Sequence, residues 1–292
     1  MKKSLKRKNR KYRKYTKRKS YRGGSKSISL PKEYDKDEVL KKMKNISVIF
    51  CGTVRNVEGH LEKNIQNLDK CGEKFKSYGV IIYENDSTDK TRDILNKHKK
   101  DNYHYIFEDN VKEHSRTKRL SHGRNMILNK VKELNKNNSY DFMIILDLDD
   151  INSSGKFIES IESCFLYDDW DVLSGNQSGQ YYDIWALRKK GDVEYDCMKN
   201  VYSDIAKGLS NFDIAYKKYA IDKMKNYPSG NLHEVDSAFG GIAIYRLKSV
   251  PDECSYNGTY EDGGEICEHV PFHQCLKKHG KKLYMNTSFL TN

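Results

Sequence analysis

MIILDLDD, residues 143–150, sets three carboxylates directly behind an unbroken apolar run. Four consecutive side chains, Met143 to Leu146, favour burial, the pattern of a strand covered on both faces. Asp147, Asp149 and Asp150 then crowd like charges into four positions, where each raises its neighbours' pKa. If the strand continues, Asp147 and Asp149 are two apart and point the same way. At a strand end such a pair presents oxygen ligands to one hard divalent cation, with water or a substrate phosphate completing the shell.

Working outward, the preceding residues alternate between apolar runs and helical spacing. Ile46 to Phe50 reads as a buried strand, and Leu61, Ile65, Leu68 and Phe75 are spaced for one helical face. Val80 to Tyr83 is a second run, followed by the turn ENDSTD, with Ser87 or Thr88 placed to cap a helix through Asp93 to Leu95. Tyr103 to Phe107 is a weaker strand, and residues 120–135 are helical again, with Leu120, Ile127, Val131 and Leu134 on one side. Strands alternating with helices predict an α/β fold: a mostly parallel, Rossmann-like sheet flanked by helices. From 151 onward Tyr, Trp and Gly become frequent and the repeat stops, which predicts a mixed α+β half built onto the same sheet. The expected division is a basic tail over 1–36 and one domain over 37–292, split into a 37–150 half and a 151–292 half.

In parallel sheets functional residues gather where strands end at their carboxyl side. Three polar constellations fall at such places: Thr53 to Asn56, Glu84 to Asp86, and Asp147 to Asp149. Two other readings of the acidic run fail on spacing. A calcium loop starting at Asp150 has Ile161 in its twelfth position, where a bidentate Glu is needed, and a strand in place of the entering helix. Neither GxxxxGK[ST] nor GxGxxG occurs, so bound phosphates would be held by metal and side chains, not by a glycine cradle.

The charge of the chain is concentrated. Of its 53 Lys and Arg, 14 lie in residues 1–26 with no acid among them; the other 39 face all 41 Asp and Glu. The net +12 therefore belongs to the tail, and the body is nearly neutral. Too poor in apolar side chains to offset the entropy of ordering, the tail is expected to be disordered, a contact for nucleic acid or another anionic surface. It carries no apolar h-region, and no run approaches a membrane span of about 18 residues, so a cytoplasmic setting, viral or host, is expected. Seven scattered cysteines without CxxC argue against a zinc ribbon and for reduced thiols. Sequons such as Asn257-Gly-Thr259 then count as chance matches.

IIYENDSTDKTRDIL, LSHGRNMILNKV and MIILDLDD, in that order, resemble the nucleotide-binding half of GT-A fold, family-2-like glycosyltransferases. CGTVRNVEGHLEKNI and the late blocks FGGIAIYR and CEHVPFHQCLKKHGKKLYMN extend the resemblance to about residues 46–290, and are also similar to the fungal capsular mannosyltransferase-like group. The resemblance implies a nucleoside-diphosphate sugar donor and Mn2+ or Mg2+. It implies Asp149 as the leading metal ligand with Asp147 in support. Arg55, Asn56, Glu84 and Asp86 then surround base and ribose, and Arg124 adds a positive fork near nucleotide or phosphate.

In the second half, His233 to Gly241 brings an acid and an aromatic to a Gly pair, which the resemblance makes a loop lining the donor sugar. Cys267 to His273 packs an acid and two histidines into seven residues. Glu268 is the candidate base of an inverting transferase, with Asp236 in reserve, and His269 or His273 the candidates to complete the metal site. Tyr181, Tyr182 and Trp185 offer faces to a sugar, though core packing explains each of them better. The expected activity is a metal-dependent hexosyl transfer to a glycan or protein hydroxyl, with UDP ahead of GDP as the donor nucleotide. Two other readings stay open: a nucleotidyltransferase acting on sugar phosphates, which would usually hold two metals, and a nucleic-acid-binding protein working through Tyr12, Tyr15, Tyr21 and the surrounding tail cations.

Overall fold

The structure is a computed structural model that describes residues 26–137 and 139–292; most of the basic tail, residues 1–25, lies outside them. The first half runs as strands β2 (Ser47–Val54), β3 (Ser77–Asn85), β4 (Tyr103–Glu108) and β5 (Phe142–Leu146). Helices α2 (Glu58–Gly72), α3 (Thr91–Lys97) and α4 (Arg116–Leu134) join them in turn. Two further elements precede these, β1 (Ser27–Ser29) and α1 (Lys36–Met43). The second half adds α5 (Lys156–Ser160), β6 (Val172–Asn176), α6 (Cys197–Ala206) and α7 (Phe212–Tyr219). It closes with β7 (Asn231–Glu234), β8 (Ile242–Arg246), α8 (His269–Lys278) and β9 (Leu283–Leu290).

All nine strands form one sheet in the order β1-β7-β9-β6-β8-β5-β2-β3-β4. β2, β3, β4 and β5 pair in parallel, as do β6 and β9, while β8 and β7 run against their neighbours. Seven strands thus share one direction, the α/β class expected. Side chains alternate across the sheet. Ile49, Cys51, Ile81, Tyr83, Met143 and Ile145 face a core layer with Ile127 and Val131 of α4 and Phe272 of α8. Val48, Phe50, Val80, Ile82, Ile144 and Leu146 face the other, with Leu61, Ile65 and Leu68 of α2 and Met43 of α1. Because α2 and α4 cover opposite faces, the chain changes side between β2 and β5. A crevice opens at the carboxyl ends of neighbouring strands at such a switch point, and the acidic run stands there.

Three expectations are corrected here. A strand lies within the span expected to be tail: β1 pairs antiparallel with β7, Ser27 opposite His233, and Leu30 is buried. The spacing of three residues is too short to announce a strand, and partnering by β7 creates it. The helix after β3 is capped by neither Ser87 nor Thr88; Asp89 Oδ1 accepts from Thr91 N at 2.9 Å instead. Cys254 and Cys275 form a disulfide, leaving five buried free cysteines. That pairing depends on the 251–266 loop folding against α8, which spacing does not reveal. Among the described residues, no helix is long and apolar enough to cross a membrane.

Candidate active site

β5 ends at Leu146, and the next residue is held between two strands. Asp147 N donates to Gly241 O at 2.9 Å. Asn152, fully buried, donates through Nδ2 to Asp147 O and to Gly241 O, each at 2.8 Å. On the other side α2 pins the turn: Asn64 Nδ2 donates to Asp149 O at 2.7 Å, and Asn67 Nδ2 to Ser153 O at 3.2 Å. Leu148 is buried between the two aspartates, packed where Gly52 of β2 leaves room; a Cβ on Gly52 would stand 2.5 Å from Leu148 Cδ1. The strand ends at Leu146, so the turn held by these bonds, and not a strand's period of two, sets where Asp147 and Asp149 lie.

Four carboxylates and one guanidinium crowd this point. Arg124 of α4 is buried, with Nη2 3.4 Å from Asp147 Oδ1 and Nη1 3.1 Å from Glu268 Oε1. The Nη1 contact is ionic without hydrogen-bond alignment, and Nη1 and Nε have no hydrogen-bond partner. Its guanidinium also lies over Phe239 and Tyr256, 5.0 and 5.8 Å from the ring centres. Burial opposes the charge on Arg124, but Glu268 and Asp147 outweigh it and hold the group cationic. Asp147 is pushed up to about 7, first by burial and then by Asp149, Asp183 and Glu268, against the pull of Arg124. Its side chain keeps 29% of its surface, so water still reaches the group. Burial and the charge of Asp150 raise Asp149 as well, although Ile151 N donates to it at 3.1 Å.

Asp183 is the acid that the sequence reading missed. It sits in the loop after β6, and its Oδ2 accepts from Gly240 N at 2.9 Å. Burial raises its pKa, and Glu268 adds to the rise. The neighbouring Tyr182 is raised by burial and then by Asp183, Asp147, Asp149 and Asp150, so its phenol shares the acidic field. The only sequence signal was YYD itself, where the aromatics drew attention and the acid did not. Gly240 and Gly241, at φ 66° and 83°, turn the chain into β8 with a backbone that a side chain would strain.

The histidines divide. His269 is 2% exposed, stacks on Phe239 at 3.8 Å, and neither ring nitrogen has a hydrogen-bond partner. Burial, then Arg124 and His273, push its pKa well down, so the imidazole is neutral and its lone pair free. His273 is corrected: Ser237 Oγ lies 3.0 Å from its Nδ1 and Tyr245 Oη 2.8 Å from its Nε2, so both nitrogens serve the core. Asp236, the reserve base, is also corrected. Its side chain is 59% exposed and pairs with Lys277 at 3.6 Å, with no ion pair to Arg124. Among the described residues the ligand atoms of Asp147, Asp149 and His269 do not converge within 4.8 Å of one another. The one trio that does, Cys254, Cys275 and His279, contains the disulfide.

The expected base-and-ribose residues cluster at the ends of β2 and β3, and most are tied to each other. Glu84 is fully buried, Oε1 accepting from Ser87 N at 2.8 Å and Oε2 from Arg92 Nε at 2.6 Å. Asn56 Oδ1 accepts from Thr88 N at 2.8 Å, at a positive φ of 53°. Asp86 accepts from Asn110 N and Val111 N. What burial it has pushes Asp86 up, but those bonds, the Asn85 amide and the charge of Arg55 hold it below its ordinary value. Arg55 itself is exposed. Glu84 and Asn56 thus shape the loops directly, and Arg55 is the group of this set left open to a ligand.

No protein-family model matches the chain, and no curated protein matches it. Solved structures do. A mannosyltransferase from Pyrobaculum calidifontis, in complex with GDP-Man and Mn2+, shares 11% identity at a TM-score of 0.46, covering 98% of this chain. The chain spans 63% of that protein's length. Glucosyl-3-phosphoglycerate synthase from Mycobacterium tuberculosis, in complex with Mn2+, UDP and phosphoglyceric acid, matches at 9% identity and TM-score 0.46 over 88% of this chain and 74% of its own. A mycobacterial protein matches at 9% identity and TM-score 0.49 over 92% of this chain and 76% of its own.

Proposed function

We propose that the chain is a metal-dependent glycosyltransferase that moves a hexose from a nucleoside-diphosphate sugar, UDP ahead of GDP, to a hydroxyl of a glycan or protein, with inversion at C1. The observation that carries this reading is the crowding of Asp147, Glu268, Asp183 and Asp149 at the sheet's switch point, where buried Arg124 pairs with the first two. Such an excess of carboxylate, beside a neutral imidazole whose nitrogens have no partner, suits a divalent cation. Asp149 would hold Mn2+ or Mg2+, with Asp147 and His269 in support. The metal would supply Lewis-acid stabilisation of the diphosphate as the glycosidic bond breaks.

The chain's own groups do the rest. Arg124 offers its unpartnered Nη1 and Nε to phosphate oxygens. Arg55 stands open at the end of β2, where base and ribose would lie. The acceptor oxygen attacks C1 from the face opposite the diphosphate, and Glu268 takes its proton. Asp183, which shares the electrostatic environment of Glu268, would take the place of Asp236 as the second carboxylate of the site.

A thermal-shift screen tests the reading with UDP, GDP, CDP and their sugars, each with and without Mn2+. A nucleotide at a hundredfold its Kd contributes about 2.7 kcal/mol. A shift that needs one nucleotide and metal together, and disappears in Asp149→Ala, is the expected result. Transfer of a nucleotide instead of a sugar in the product assay, or no shift with any ligand, would overturn it.

A further inference from the structure

Among the described residues eight large apolar side chains are exposed, and six of them fall within 202–221. Tyr202, Ile205 and Leu209 recur at the i, i+3, i+7 spacing of one helical face, running from α6 into the turn after it. Phe212, Ile214 and Ile221 follow on α7 and the short helical turn beyond it, with Leu209 69% and Ile214 60% exposed. α6 packs on the core through Cys197 and Met198, and α7 through Tyr216 and Tyr219, so these six side chains are surplus to the fold.

The charge around them is net positive, although Lys199, Lys217, Lys218 and Lys225 pair with aspartates. Residues 197–225 hold six lysines against three aspartates, a net +3. Lys207 and Lys223 are exposed beside the apolar groups. A further 13 Lys and Arg, unopposed by any acid, precede the first described residue. A second copy of the chain would bring like charges together across this patch. A nucleic acid would be met by aliphatic side chains, where phosphate contact calls for cations. An anionic bilayer satisfies both halves: apolar groups enter the headgroup boundary and lysines reach back to the phosphates.

We infer that the α6–α7 unit is a docking surface for an anionic phospholipid bilayer. The unit is tied to the rest of the second half: Asp196, which caps α6, binds Arg188 at 2.7 Å and Tyr260 Oη at 3.0 Å. Lys199 pairs with Asp262 at 3.3 Å on the same segment that leads to Glu268.

Vesicle co-sedimentation of the full chain tests this, using phosphatidylcholine vesicles with and without phosphatidylserine, at low salt and at about 0.5 M salt, where the tail's attraction is screened. The wild-type chain is expected to bind the phosphatidylserine vesicles and to keep a bound fraction at high salt. L209D/I214D is expected to lower that salt-resistant partitioning about tenfold or more, with an unchanged melting curve; L209S/I214S serves should the aspartates disturb folding. Equal partitioning of wild type and variant, or wild-type binding wholly abolished by salt, overturns the inference. So does a wild-type dimer that the variant loses, because a second copy would then cover the patch.

Discussion

Arg124 Nη1 stands 3.1 Å from Glu268 Oε1, with the two side chains only 5% and 4% exposed. One comes from the middle of α4, the other from the residue before α8, and Asp147 completes the contact at 3.4 Å from Nη2. A buried pair of this kind gains little over an apolar substitute, but removing one partner leaves the other charge uncompensated.

Arg124→Ala is therefore expected to cost about 3–5 kcal/mol of unfolding free energy. Adding Glu268→Ala to it should recover part of that loss, because the two changes share one interaction. Urea titrations of the two single variants and the double variant read both. Strict additivity would show that the two side chains do not depend on each other.

Asp147 gives a pH dependence with a definite sign. Its carboxyl is pushed up to about 7 in the folded protein from an ordinary value of 3.8, so the folded state holds the extra proton between those values. Stability from this group is full below about 4 and is lost as pH rises toward 7. Asp147→Asn should remove that loss, making the metal-free variant more stable than wild type at pH 8 by about 2 kcal/mol, after a discount for partial exposure. The difference should vanish near pH 4. A wild-type-minus-variant curve that is flat with pH would refute the assignment.

His269 and His273 lie one helical turn apart and should behave differently. His273 is held from both sides by Ser237 and Tyr245, so His273→Ala should cost about 2–4 kcal/mol and leave the Mn2+ requirement of nucleotide binding in place. His269→Gln, which removes a neutral nitrogen without a partner, should weaken the Mn2+-dependent thermal shift and cost little stability. Isothermal titration with Mn2+ and nucleotide, beside melting curves, separates the two; the reverse pattern would exchange their roles.

The Cys254–Cys275 bridge closes a loop with a sequence separation of 21. Reduction should lower stability by about 3 kcal/mol through the entropy returned to the unfolded chain. Thiol titration of the unfolded, unreduced chain should count five groups. A count of seven would show that the bridge does not form.

Much of the first half was legible because its signals are local. Val48 to Phe50, Val80 to Tyr83 and Phe142 to Leu146 are strand segments buried on both faces, and such strands announce themselves as continuous apolar runs. That the acidic run follows directly on a buried strand was legible from the same apolar run. The roles of Glu84, Asn56 and His273 were not legible, because each depends on hydrogen bonds to groups brought near by the fold: Arg92, Thr88, and the Ser237–Tyr245 pair. Asp183 was hidden for the same reason: nothing in YYD points to Gly240.

By itself, then, the sequence determined the alternation of strands and helices through residue 150, the place of the acidic run behind a buried strand, and the separation of basic residues 1–26 from a neutral body. Periodicity and composition are properties of neighbours in the chain. Only the tertiary structure decided that β8 enters between β5 and β6, that Ser27 to Ser29 join the sheet, and that α8 brings Glu268 and His269 to Arg124. Those are contacts between distant segments. They are fixed by which faces can be buried together and which charges must be met once water is excluded.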